Sequence, residues 1–386
     1  MSRIKSWLSR TALGVGAVGV LAAGFAVGDG WEAFGRRATG ERRARMERSP
    51  QWKDGQFVNP QPIINDNWGG VGMLFERAFE STPTAPVPTA PVDPRRFDTP
   101  PATGLRVTWL GHSTNLVEID GQRVLTDPFW GERTSPLTWV GPKRWYAPLL
   151  ALGDMPRVDA VVISHDHYDH LDHTTLVAMK AWDTRFVVPL GVGAHLASWG
   201  IPEARIVELD WWEHTRVGDL EITLTPARHA SGRYLLDNNA TLWGGFALRG
   251  PTHRAFYSGD TGLFPALRDI GERLGPFDVT LLEVGQYGKP WPDWHMGPEQ
   301  AVAAHRMLRG RVLVPVHWGL VNLAPHTWTE PIERALVAAR AAEVTITQAR
   351  PGESLEPEAP PAPARWWPDL PRQTAEENPI VSSQME

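Results

Sequence analysis

The chain of 386 residues contains no cysteine. That excludes a disulfide framework, a thiolate metal site and a lipidated cysteine. It is silent about compartment, because an oxidising space requires no disulfide. A basic excess is also missing. Against 38 Lys and Arg stand 44 Asp and Glu, a formal net charge of −6. General nucleic-acid binders show the opposite balance, so that class is set aside. No internal repeat is visible. Tyrosine is scarce, with 5 residues, whereas tryptophan reaches 19. Tryptophan suits places where an apolar body meets a polar edge, at interfaces and membrane surfaces as well as in a large core. Hydrophobic residues at 42% and charged residues at 21% are an ordinary globular balance, so one large domain with tails is expected.

A long uncharged run occurs at the N-terminus, Thr11 to Val27, after Arg3, Lys5 and Arg10. Residues 1–28 are therefore expected to be a signal peptide or membrane anchor. Arg36, Arg37, Arg42, Arg43 and Arg45 follow, which leaves the orientation open. The expected location is the cell envelope, anchored or periplasmic, with the cytoplasmic face of the inner membrane as the alternative. Residues 29–103 read as an N-terminal arm and Pro-rich linker. Prolines 83, 86, 88, 91, 94, 100 and 101 favour extended, solvated chain there. Residues 104–350 form the expected catalytic domain. Residues 351–386, with their Pro-rich start and polar end, read as a disordered tail.

The densest chemical signal is Ser164-His165-Asp166-His167-Tyr168-Asp169-His170-Leu171-Asp172. It follows Val158 to Ile163, an apolar β-branched run that predicts a buried strand. Imidazole and carboxylate are ligands for zinc, iron or manganese. The run offers more ligands than one ion can reach, so two adjacent ions are the natural inference. Three more β-like runs each end on a ligand-type side chain: His229, Asp260 and His317. Sites in layered α/β proteins commonly form at strand ends. Strands also alternate with helices: strand 185–189, helix 192–199, strand 278–282 and helix 298–308. That alternation indicates an α/β architecture.

H-x-H-x-D-H followed by a lone His, a Gly-Asp and a final His resembles the metallo-β-lactamase superfamily. Trp109 to Thr114, Leu125 to Pro128, Ser135-Pro136 and Gly141 to Arg144 resemble its N-acylphosphatidylethanolamine phospholipase D-like branch. The resemblance runs from about Asp66 to Gln348. It implies a four-layer αβ/βα sandwich and two zinc ions. His165, His167 and His229 would hold the first ion, and Asp169, His170 and His317 the second. Asp260 would bridge them beside a hydroxide, the nucleophile. The implied reaction is phospholipase D-type hydrolysis of N-acylphosphatidylethanolamine-type phospholipids, with a membrane surface as partner. A lactonase or other small-substrate hydrolase of the same fold is the alternative. A non-catalytic, metal-stabilised envelope binding protein is the alternative of another class.

Other residues carry weaker expectations. Tyr168 and His295 are expected to meet the substrate phosphate. Asp127 and Asp172 are expected to orient the histidine loop, with helix capping as a second reading for Asp172. His112 is expected in a turn or pocket wall. His195 and His214 read as ordinary structural histidines. Trp130, Trp139, Trp145 and Tyr146 either line the substrate cleft or pack under a long loop.

Overall fold

Alternation along each strand sets the layers. In β6 (Ala160–Val162), Ala160 and Val162 face one way and Val161 the other. Ala160 and Val162 join a cluster with Ile222, Leu224 and Phe246. Val161 joins Leu176 and Leu196 in another. Successive side chains in a strand point to opposite faces, so the strand is buried on both sides. Fully burying each valine is worth about 1.5–3 kcal/mol, which makes this strand a rigid base for the loop that follows. The computed structural model describes residues 28, 30–64, 81–234, 236–361 and 363–385. The expected signal peptide or anchor lies almost wholly outside these, as do residues 65–80. Among the described residues, no helix is long and apolar enough to cross a membrane.

A short hairpin, β1 (Trp52–Lys53) and β2 (Gln56–Phe57), precedes two seven-stranded sheets. The first sheet contains β3 (Leu105–Gly111), β4 (Thr114–Ile119), β5 (Gln122–Thr126), β6, β7 (Arg185–Pro189) and β8 (Ile206–Leu209). The second contains β9 (His214–Val217), β10 (Leu220–Thr225), β11 (Gly245–Arg249), β12 (Arg254–Tyr257), β13 (Phe277–Glu283), β14 (Gly310–Val316) and β15 (Thr345–Ile346). A last strand, β16 (Ser354–Leu355), returns to the edge of the first sheet. The orders are β16-β3-β4-β5-β6-β7-β8 and β15-β14-β13-β12-β11-β10-β9. In the first sheet, β16 to β5 pair antiparallel and β5 to β8 parallel. In the second, β9 to β12 pair antiparallel and β12 to β15 parallel. The halves share one plan without a sequence repeat. A ladder is made by backbone groups, and many side-chain sets fit one pleated, half-buried surface.

Helices cover the outer faces. After α1 (Gly40–Met46) in the arm come α2 (His173–Ala178) and α3 (Gly193–Ser198), which pack on the first sheet. The second sheet carries α4 (Ala266–Arg273), α5 (Pro298–Met307) and α6 (Glu330–Ala341), through Leu267, Ala301 and Ile332. This is the expected four-layer αβ/βα sandwich.

Two expectations about the ends fail. The tail after residue 350 is not disordered. It adds β16 to the first sheet, then stacks Trp366 on Trp318 at 5.5 Å and sets Trp367 edge-on to it at 5.7 Å. Tryptophan burial overrides the local proline and polar content. The Pro-rich stretch is not a solvated linker either. Val87, Val92 and Phe97 are buried, and Arg106 and Arg123 donate to its carbonyls at Thr99 and Phe97. Proline forbids regular pairing there but not packing against a sheet.

Candidate metal centre

Each ligand-type side chain follows a strand of the two facing sheets. The loop after β6 carries His165, His167, Asp169 and His170. His229 follows β10, Asp260 follows β12, and His317 follows β14. Rigid, doubly buried strands thus deliver seven donors from four stretches to one place. Two groups form. His165 Nε2 lies 2.8 Å from His167 Nδ1, which lies 3.3 Å from His229 Nε2. In the second group, Asp169 Oδ2 lies 3.1 Å from His170 Nε2 and 3.3 Å from His317 Nε2. Asp260 Oδ2 reaches both: 3.1 and 3.2 Å to His170 and His317, and 3.9 Å to His165 and to His229.

Buried and aimed at one another, such groups fit bound cations better than they fit themselves. Asp260 Oδ1 is buried without a hydrogen-bond partner. An unsatisfied buried acceptor costs about 1–3 kcal/mol, and a cation would satisfy it. Within each candidate group the donor atoms lie within 4.8 Å of one another. Burial, reinforced by neighbouring imidazoles, pushes His165 well below the usual histidine range. Burial likewise holds His229 well below it. Both are thus neutral, the form that ligates. In His170 and His317 burial acts downward too, but Asp260 and Asp169 outweigh it. His170 rises well above its ordinary value, and His317 to about 10. Burial would raise Asp169 and Asp260, yet adjacent histidines hold both well below the carboxylate range.

Supporting contacts orient the rings. Asp127 Oδ2 accepts from His170 Nδ1 at 2.6 Å, Ser164 Oγ at 2.5 Å and the Tyr257 hydroxyl. Its Oδ1 accepts from Ser164 N at 2.7 Å. Asp127 therefore touches both a donor ring and the start of the loop. Asp172 does not. Its carboxylate accepts from Thr174 Oγ1, Thr175 N, Thr175 Oγ1 and Gly131 N. It caps α2 and ties down the 129–149 loop, so the expectation that it orients the histidines is corrected. Three local donors, with Gly131 N from the loop, capture it before it can turn inward.

His112 is nearer the centre than a turn or pocket wall. Its Nε2 lies 2.9 Å from Asp169 Oδ2, and it is fully buried. Its backbone, with those of Asp127 and His317, is left-handed. Non-glycine residues in that region are uncommon and gather at functional sites. Tyr168 is also misplaced by sequence reasoning. Its hydroxyl donates to Arg233 O at 2.6 Å and its ring covers the Arg233 guanidinium at 4.1 Å. It does not line the cavity.

That cavity, of about 230 Å³, is walled by His167, Asp169, His229, Asp260 and His317 on the donor side. Gln286, Trp291, Trp294, His295 and Leu323 complete the lining. Its aromatic wall comes from the 288–297 loop. Trp130 instead donates to Leu150 O, Trp145 packs edge-on to Trp328, and Tyr146, partly buried, packs against the Phe129, Leu320 and Val321 cluster. Trp139 is exposed. His195 accepts from Arg36 N at 3.1 Å and faces Asp166 at 3.5 Å, whereas His214 sits exposed in β9.

Contacts from the chain ends had no sequence signal. Asn59 brackets the His229 backbone: Nδ2 donates to its carbonyl at 2.6 Å and Oδ1 accepts from its N–H at 3.1 Å. Buried Arg233 donates to Ala33 O, Asp166 O and Leu171 O, joining the arm to the histidine loop. Arg228 pairs with Asp293 at 2.9 Å, both fully buried. Arg228 also donates to Pro62 O and Ser383 O, while Asp293 accepts from Ile64 N and Ser383 N.

The family model for the beta-lactamase superfamily domain matches residues 122–318, a span holding all seven donors. The chain belongs to the beta-lactamase superfamily. An uncharacterized protein of Mycobacterium tuberculosis is 49% identical to this superfamily member over 335 residues, 84% of this chain and 89% of that one. The N-acyl-phosphatidylethanolamine-hydrolyzing phospholipase D 1 of Caenorhabditis elegans is 34% identical over 307 residues, 70% of this chain and 85% of that one. Among solved structures, Igni18, a metallo hydrolase from Ignicoccus hospitalis, matches with TM-score 0.51 and 26% identity, over 65% of this chain and 97% of that one. Asn59 and Ser383 lie outside the matched family span, although they brace residues inside it.

Proposed function

We propose that this chain is a binuclear zinc phosphodiesterase that cleaves N-acylphosphatidylethanolamine-type phospholipids. That it is a metal-dependent hydrolase follows from its superfamily and its donor set together. The phospholipid substrate rests on likeness to the nematode enzyme, whose name states that activity. The observation that carries the reading is the convergence of seven donors on one place, five of them lining a cavity shared with Trp291, Trp294 and Leu323. Two zinc ions held there supply a water activated at neutral pH and positive charge to offset the phosphate oxygens.

The chain's own residues do the rest. His165, His167 and His229 would hold one ion and Asp169, His170 and His317 the other, with Asp260 Oδ2 within 3.9 Å of both groups. Trp291 and Trp294 exclude water and pack on the apolar part of the ligand beside the phosphate. His295 lines the cavity with Nδ1 bound to Glu283 Oε2 at 2.8 Å, so Nε2 is the ring atom left for a substrate oxygen. In the proposed reaction the P–O bond to the N-acylethanolamine breaks and a P–O bond from water forms. The leaving oxygen takes a proton, and phosphatidic acid remains. Such a substrate calls for a membrane surface, and the cell envelope is the location proposed with it.

A small-substrate reading has one observation in its favour. The cavity, at about 230 Å³, is small for a lipid with two acyl chains. The test is purified protein, with and without added zinc, assayed on a diacyl N-acylphosphatidylethanolamine, a lactone and a phosphodiester dye. Release of N-acylethanolamine, abolished in His165→Ala, is expected. Turnover of the lactone alone would overturn the phospholipid substrate.

A further inference from the structure

Glu283 ends β13, and its side chain is fully buried between two histidines of the metal centre. The reaction above uses it only to hold His295 Nδ1 and gives it no task at the metal donors. Its surroundings do. Oε1 accepts from Thr261 N at 2.5 Å, and Met296 N stands 3.4 Å from the same oxygen. Thr261 follows the donor Asp260, and Met296 follows His295, so the backbone fixes how the carboxylate is turned. Oε2 is then left for the rings: 2.8 Å from His295 Nδ1 and 3.4 Å from His317 Nδ1. The two rings lie nearly parallel, 13° apart with centroids at 5.3 Å.

We propose that Glu283 is a positioning residue that fixes the ring tautomer of His317 and His295 through one carboxylate oxygen. A neutral imidazole has a single N–H. His317 Nε2 converges on Asp169, His170 and Asp260, so that nitrogen must keep its lone pair for an ion. The proton therefore belongs on Nδ1. Nδ1 is buried and has no hydrogen-bond partner, and Glu283 Oε2 is an acceptor 3.4 Å from it, within reach of a small ring adjustment. Such outer carboxylates orient a ligating histidine and raise its basicity. Here one carboxylate serves a donor ring and a cavity-wall ring together, which ties the tautomer of His295 to that of His317.

Glu283→Gln tests this. Glutamine keeps an oxygen for Thr261 N and Met296 N but puts an amide N–H where Oε2 was. An N–H facing Nδ1 favours the proton on Nε2, the tautomer that cannot ligate. Zinc affinity is measured by chelator competition without substrate. The ion held by Asp169, His170 and His317 is expected to weaken about 10–100-fold, the usual cost of losing such a partner. The ion held by His165, His167 and His229 is expected to stay at wild-type affinity. Nitrogen-15 spectra of the zinc-loaded, unmutated protein are expected to show a proton on His317 Nδ1. Folded E283Q with both affinities unchanged overturns the proposal. So does absence of that Nδ1 proton, a result that needs no variant. The inference rests on the metal centre proposed above but not on its substrate. Unmutated protein that takes up no zinc sinks that reading, whereas normal zinc uptake with an indifferent E283Q sinks only this one.

Discussion

Asp293→Ala is expected to loosen both ends of the chain and one wall of the cavity at once. The Arg228–Asp293 pair has neither side chain exposed. Arg228 precedes the donor His229, and Asp293 lies two residues before His295. Pro62, Ile64 and Ser383 bond to the pair from the two chain ends. Removing one partner of a buried ion pair costs about 3–5 kcal/mol, because the remaining charge is left buried. The three hydrogen bonds that Asp293 accepts, from Ile64 N, Ser383 N and Ser383 Oγ, vanish with it, but their contributions are not additive with the pair. Against a total stability of about 5–15 kcal/mol, that loss is a large fraction. Urea unfolding of the zinc-loaded protein measures it. Hydrogen exchange locates it, with faster exchange expected at residues 60–64, 291–297 and 380–385 and little change in β6 and β7. Asp293→Asn, which keeps an acceptor but no charge, is expected to fall between. A cost under about 1 kcal/mol with an unchanged exchange map would refute the view that this pair ties the ends to the site.

Asp127→Asn is expected to weaken the ion bound by His170 about 10–100-fold in chelator competition, since Asp127 holds His170 Nδ1. Asp172→Ala should instead lower stability by about 1 kcal/mol through loss of the α2 cap and leave zinc affinity unchanged; a large affinity loss would restore the role first expected of it. Ion binding at the Asp169–His170–His317 site displaces at least one proton near neutral pH, because carboxylates raise both histidines in the ion-free protein. Affinity there should rise with pH and fall in acid, with binding heats that depend on the buffer's ionisation enthalpy. In the ion-free protein the protonated His317 is stabilising, an effect complete below pH ~6.5 and lost as pH rises through about 10. Thermal midpoints of chelated protein across that range check the sign.

The arm and tail give the enzyme reading a practical consequence. The histidine loop hangs on Arg233 and thereby on Ala33, while His229 hangs on Asn59. The family span alone, residues 122–318, lacks these supports, and it lacks β3, β4 and β16 of the first sheet.

Much of the molecule is written locally. Runs such as Val158 to Ile163 and Val312 to Val316 predict strands because β-branched, apolar side chains suit a doubly buried ladder. The seven donors are legible because few residue types ligate metals and each follows such a strand. The alternation of strands and helices indicates the α/β architecture, and the resemblance to the metallo-β-lactamase superfamily supplies the four layers. Tertiary structure alone decided the partners. Asp172 and Asp127 look alike in sequence, yet nearby threonines capture one while the other reaches His170 across the sheet. Glu283, Asn59, Arg233 and Ser383 carry no motif, because a buried hydrogen bond requires only that two groups arrive at one point. Arrival there depends on how distant segments pack, and neither segment records the other in its own residues.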